Sequence, residues 1–118
     1  MILVDTSVWV DHIRAPDAEL IHALRQASVL CHPFVIGELA LGNLPDRAIW
    51  LRDLERLPAA IVARHEEVMA MIATSLVGRG IGYVDAHLLA SARLSASRLW
   101  TRDRRLGSVA TDLGIAHN

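Results

Sequence analysis

The sequence predicts an α/β fold: a central parallel sheet of four or five short strands flanked by helices, in one domain over residues 1–118. Three observations predict it. Short apolar runs such as "MILV" end on polar clusters, as buried parallel strands do. Segments with helix-spaced apolar residues alternate with those runs. The chain has 118 residues, 53% hydrophobic and 21% charged, so it carries enough apolar mass for one core and is not disordered.

The elements follow in order. "MILV" is the first strand. "TSVWVDHIR" carries helical spacing, with Thr6 or Ser7 as N-cap. Pro16 interrupts, and "DAELIHALRQA" sets Leu20, Ile21 and Leu24 on one face of a second helix. "SVLCH" is the next strand. Pro33 suits the first position of the helix "PFVIGELALGNL", which Gly42 and Asn43 end. "PDRAIWLRDLERL" is a helix stopped by Pro58, and "AAIVA" a strand candidate. "HEEVMAMIATSLVGRG" is a helix with Glu66 and Glu67 in its favourable first turn. "GRGIG" is read as a turn that positions Asp85, because it lacks the full GxGxxG pattern and follows a helix. "VDAHLLASARLSA" is a helix, "RLWT" a strand, "RDRRLGSVATDLG" a helix and "IAH" a last strand.

Composition narrows the function. The formal net charge is −1, so no global basic footprint points to nucleic acid, and such a partner would be held by local arginines or through a metal. All 12 basic residues are Arg. Cys31 is the one cysteine, which excludes an internal disulfide and reads as a small buried hydrophobe. No signal peptide or spanning segment is expected, and the expected location is the cytoplasm.

Four carboxylates stand out. Asp5 ends the first strand, Asp85 starts a helix, and Asp103 directly follows the strand "RLWT". In doubly wound sheets, ligands sit outside the carboxyl ends of the strands. Glu38, flanked by apolar residues one turn into its helix, points back over the same edge. Each has an ordinary alternative: a backbone acceptor at Asp5, a solvated position at Glu38, an N-cap at Asp85, a turn residue at Asp103. Together these alternatives need four coincidences at one edge. Gathered carboxylates repel one another unless a cation neutralises them. An all-oxygen donor set suits Mg²⁺ or Mn²⁺, and no His/Cys spacing fits zinc. Such ions handle phosphate groups.

"LVDTSVW", "GELALG", "GYVDAHLLASA" and "LWTRDRRL", in this order, resemble the PIN domain, and within it the VapC-type toxins of toxin–antitoxin pairs. The resemblance covers essentially the whole chain. It implies an Mg²⁺- or Mn²⁺-dependent endoribonuclease that hydrolyses RNA phosphodiester bonds by a metal-activated water. Asp5, Glu38, Asp85 and Asp103 match the acidic residues that hold the metal, and Ser7 and Thr101 match small polar positions beside it. The family usually forms homodimers and is inhibited by a small VapB-like antitoxin protein. Asp5 and Asp85 would hold the principal ion, with Asp103 and Glu38 completing that site or a second one.

Arg102, Arg104 and Arg105, with Arg79 in "GRGIG", are candidate RNA phosphate contacts; the plain alternative is a solvated turn that moderates the acids. Adjacent side chains on a helix diverge, so 102, 104 and 105 are not all expected in one cleft. Trp9, Trp50 and Trp100 are expected in the core, with Trp9 or Trp50 as alternative interface residues. The six histidines share no spacing. Phosphatases of the haloacid dehalogenase type and response-regulator receivers need a lysine, which this chain lacks. The remaining rival is a non-catalytic PIN-like module that binds RNA or protein.

Overall fold

Strand β1 (Ile2–Val4) lies at the centre of a three-stranded parallel sheet ordered β2-β1-β3, with β2 at Val29–Leu30 and β3 at Arg98–Trp100. Leu3 pairs with Leu30 on one side and Leu99 on the other. The structure is a computed structural model describing residues 1–118.

Parallel neighbours require crossovers, and helices supply them. Helices α1 (Thr6–Arg14) and α2 (Ala18–Arg25) carry the chain from β1 to β2. Helices α3 (Pro33–Leu41), α4 (Arg47–Arg56), α5 (His65–Met71) and α6 (Tyr83–Leu94) carry it to β3 on the opposite side of β1. Helix α7 (Arg104–Asp112) follows. The order reverses at β1, so the crevice at the carboxyl end of β1 is the switch point of the sheet.

The expected fold class stands, with fewer full strands. "AAIVA" and "IAH" each give a single parallel bridge, Ala59 to Cys31 and Ala116 to Leu99, on opposite edges. Cys31 N–H donates to the Pro58 carbonyl at 2.9 Å and Ala60 N–H to the Cys31 carbonyl at 2.8 Å, after which the segment turns away. The expected helix "HEEVMAMIATSLVGRG" also shortens. It becomes π-helical at Ile72–Leu76 and ends in a turn where Gly78 and Gly80 take φ of 75° and 77°.

Leu3, Val4, Val8, Val35, Leu88, Leu89, Leu99 and Leu106 are fully or almost fully buried. Each such side chain stabilises the fold by about 1.5–3 kcal/mol relative to exposure. Helix α6 is buried from Ala86 through Ala92, which explains its small residues: it is enclosed rather than laid on a surface. Trp9 and Trp100 join this core, as expected, and Trp50 packs edge-on against Trp9 with ring centroids 6.5 Å apart. Cys31 is buried, and burial pushes its thiol up to about 11, which makes it inert. No helix is long and apolar enough to cross a membrane.

Candidate active site

Asp5 is the residue at which β1 hands over to α1. Its N–H donates to the Trp100 carbonyl at 2.9 Å, which extends the β1–β3 ladder by one residue. It occupies the N-cap position of α1, yet its side chain caps nothing. Instead Oδ2 accepts from the Ser7 hydroxyl at 2.8 Å and the Thr101 hydroxyl at 2.7 Å. Those hydroxyls are themselves anchored, because Arg102 N–H donates to Ser7 Oγ at 2.9 Å and Asp103 N–H to Thr101 Oγ1 at 3.0 Å. The carboxylate is only 6% exposed and is held by one oxygen, while Oδ1 makes no protein hydrogen bond. The network joins the ends of β1 and β3: Ser7 holds Asp5 from two residues away, and Thr101 from 96 residues along the chain.

The other three acids approach the same edge on different elements. Asp85 lies in the first turn of α6, which starts at Tyr83 with Gly82 as N-cap, so Asp85 is not the cap itself. Burial raises its carboxyl pKa first, and the negative charges of Asp5, Asp103 and Glu38 add to that rise. Asp103 caps α7, accepting Leu106 N–H at 2.9 Å through Oδ1. Glu38, exposed on α3, accepts the Thr6 hydroxyl at 2.7 Å through Oε1.

These carboxylates do not close into a cage: no three His, Cys, Asp or Glu side chains already stand as a ready ligand group. The donor chemistry still fits Mg²⁺ or Mn²⁺. The set is all oxygen, the acids penalise one another's charge at Asp85, and Mg²⁺ typically takes one or two carboxylates while keeping several waters. Tight zinc-like coordination does not fit this arrangement.

The arginines separate into two groups. Arg102 donates to Asp11 Oδ2 at 2.7 Å and Asp17 Oδ2 at 2.5 Å, and its guanidinium lies 5.9 Å from the Trp100 ring centroid. Both carboxylates raise its pKa further. It is a structural clamp between α1, the α1–α2 turn and the end of β3, and its charge is already neutralised. Arg79, Arg104 and Arg105 instead gather beside Ser108. Asp11 faces Arg102 rather than the acids.

A buried cluster on the neighbouring elements was not legible in the sequence. His32, fully buried, caps α3 by accepting Phe34 N–H at Nδ1 (3.0 Å) and reaches Ser91 Oγ of α6 with Nε2 at 3.1 Å. Ser91 Oγ also accepts Ala63 N–H at 3.1 Å. Nδ1 accepts, so Nε2 carries the proton and His32 is neutral; burial lowers its pKa to about 4, with a smaller push from His87. His87 is packed edge-on between Phe34 and Tyr83. It stands two residues from Asp85 and so on the opposite side of α6, outside the acid edge. Ser91 lies 59 residues from His32, and Ala63 joins the cluster through Ser91, so no local pattern marks it.

Comparison with known proteins places this geometry in a family. The family model of the PIN domain matches residues 2–112. The chain is 48% identical over 118 residues to a protein named Ribonuclease VapC32 of Mycobacterium tuberculosis, covering 98% of this chain and 95% of that one. Among solved structures, PAE2754 from Pyrobaculum aerophilum superposes with a TM-score of 0.64 at 19% identity, covering 92% of this chain and 78% of that chain. FitAcB from Neisseria gonorrhoeae superposes with a TM-score of 0.64 at 22% identity, covering 94% of each chain. At those identities the two structures speak for the fold alone.

Proposed function

Since this chain belongs to the PIN-domain family, we propose that it is a VapC-type toxin, an endoribonuclease that hydrolyses RNA phosphodiester bonds at the edge formed by Asp5, Glu38, Asp85 and Asp103. The near full-length identity to Ribonuclease VapC32 supports a nuclease. The observation that carries the site assignment is the Asp5 carboxylate at the carboxyl end of β1, 6% exposed, held through Oδ2 by the Ser7 and Thr101 hydroxyls and with no protein hydrogen bond at Oδ1; the raised pKa of Asp85, through burial and then the other three acids, agrees with it.

Asp5, Asp85, Asp103 and Glu38 would hold Mg²⁺ or Mn²⁺. Bound there, the cation would offset the crowded negative charge, make a water more acidic and stabilise charge on the phosphoryl oxygens. The chain's own residues do the positioning. Ser7 and Thr101 fix Asp5 through Oδ2 and leave Oδ1 free. Asp103 is oriented by the α7 N-terminus through Oδ1, which leaves Oδ2 for the crevice. Asp85 projects from the first turn of α6, where the helix dipole favours its charged form against its acidic neighbours. In-line attack on the phosphorus would release a 3′-hydroxyl and leave a 5′-phosphate.

The same reading assigns a small VapB-like antitoxin as protein partner, a homodimer as the working assembly and the cytoplasm as location. Exposed apolar side chains such as Leu41 and Val77, 89% and 72% exposed, are consistent with surfaces that a protein partner covers.

Asp5→Asn tests the assignment. It keeps the volume and both hydroxyl contacts but removes the charge, so cleavage of an RNA pool in Mn²⁺ should fall at least ~10²-fold with near-ultraviolet circular dichroism unchanged. Cleavage at the parental rate would refute the assignment. If antitoxin-free parent cuts RNA in neither Mg²⁺ nor Mn²⁺, the chain is a binding module.

A further inference from the structure

We infer that Arg79, Arg104, Arg105 and Ser108 form a phosphate subsite that holds a backbone phosphate of the RNA strand next to the one being cut. This rests on the ribonuclease reading above and adds to it where the strand runs. The four residues alone line a cleft of about 360 Å³ with no apolar side chain.

Helix geometry explains the convergence. Successive residues of α7 are about 100° apart, so Ser108 lies about 40° from Arg104 and about 60° from Arg105, between them. Two adjacent arginines therefore flank one serine instead of diverging to separate surfaces. Arg79 faces them from the turn before α6. That turn is built to meet α7: Gly80 sits at φ +77°, and a Cβ there would lie 3.1 Å from Nη1 of Arg105. Arg105 Nη1 reaches the Gly80 carbonyl only at 3.4 Å, a weak contact that leaves the guanidinium available.

The charge in the cleft is not balanced from within. Asp112 pairs with Arg79 at 2.6 Å, but Arg104 and Arg105 make no ion pair. Two unpaired guanidiniums with a hydroxyl between them match a phosphate, which accepts several charge-assisted bonds at once. The position matches the same ligand. Arg104 and Arg105 directly follow Asp103, and the Arg79 turn leads into Asp85. An acidic edge repels an RNA backbone, and this cleft supplies adjoining attraction for the strand. Arg102 is excluded from the subsite by its two carboxylate partners.

Equilibrium binding of a single-stranded RNA oligonucleotide, in EDTA with the RNA checked to be intact, tests this across a salt series. Each phosphate contact on a single strand contributes about 0.7 to the slope of log K against log salt. Arg104→Ala/Arg105→Ala should lower that slope by about 0.7, the loss of one phosphate contact, and weaken binding about tenfold, regardless of sequence. Asp112→Asn frees Arg79 and should change both quantities the other way, a gain that loss of packing would not produce. In Mn²⁺ the double variant should raise KM with kcat nearly unchanged. An unchanged slope and KM in a protein that still cuts RNA overturns the subsite and leaves the ribonuclease reading intact. A parent that shows these slope changes but never cuts supports the subsite and overturns that reading. If an oligoglutamate peptide binds the parent as tightly as the RNA and loses as much in the double variant, the cleft reads charge alone and the phosphate assignment fails.

Discussion

Asp5 shows what a single side chain decides here. An aspartate before a helix is ordinarily a cap, and its backbone does take that position, but its carboxylate receives two hydroxyls and no helix N–H. Thr101 has two tasks: it donates to Asp5 Oδ2 and accepts Asp103 N–H, so one hydroxyl orients two of the four acids. Thr101→Val keeps the shape and removes both bonds. Losing such a supporting bond typically costs about 10–100-fold in metal affinity or activity. We expect a drop of that size, seen as a Mn²⁺ activation curve shifted to higher concentration, with Thr101→Ser restoring it. Activity of Thr101→Val at the parental Mn²⁺ midpoint would show that Ser7 positions Asp5 alone. The four acids stand out in the sequence for local reasons: Asp5, Asp85 and Asp103 lie at predicted element boundaries, and Glu38 lies among apolar residues one turn into its helix. The Arg102 clamp was not, because its partners Asp11 and Asp17 lie 91 and 85 residues away.

Elements add constraints that no side chain carries alone. The turn between the π-helical segment and α6 depends on glycine at position 80 for its left-handed backbone and for the close approach of Arg105. Gly80→Ala should cost about 1–2 kcal/mol, read as a lower urea midpoint with an unchanged slope. The His32 clamp joins α3, α6 and the Ala63 segment, and it makes stability depend on pH. Its folded pKa, about 4, lies below the ordinary 6.5, so between those values the unfolded chain binds more protons. This contribution is therefore complete above pH 6.5 and is lost as the pH falls towards 4, on the order of 3 kcal/mol over the window. Urea titrations at stepped pH should show that loss in the parent, and a flatter curve in His32→Gln. Equal steepness in both would assign the acid sensitivity to other groups. Strand lengths were the least legible feature: "AAIVA" and "IAH" have strand composition, but the sheet pairs only one residue of each.

The whole molecule sets the balance of charge. Burial and the charges of Asp5, Asp103 and Glu38, carried by three other segments, disfavour the charged form of Asp85, and in the proposed site a cation would offset that. A cation bound to the folded chain alone stabilises it by mass action, by about 2.7 kcal/mol at a hundredfold excess over its dissociation constant. Millimolar Mn²⁺ should therefore raise the melting temperature of the parent and do little for Asp5→Asn/Asp85→Asn. An equal rise in both would place the cation elsewhere. By itself the sequence determined the α/β class and the helical crossovers and singled out the four acids proposed for the site, because hydrophobic period and turn chemistry are local and repeat along the chain. Only the tertiary structure decided which hydroxyls hold Asp5, that Arg102 is neutralised, that Arg104 and Arg105 share a cleft, and that two expected strands shrink to bridges. Those are contacts between distant segments, fixed by how the helices pack on the sheet, and the order of residues along the chain does not encode their distances.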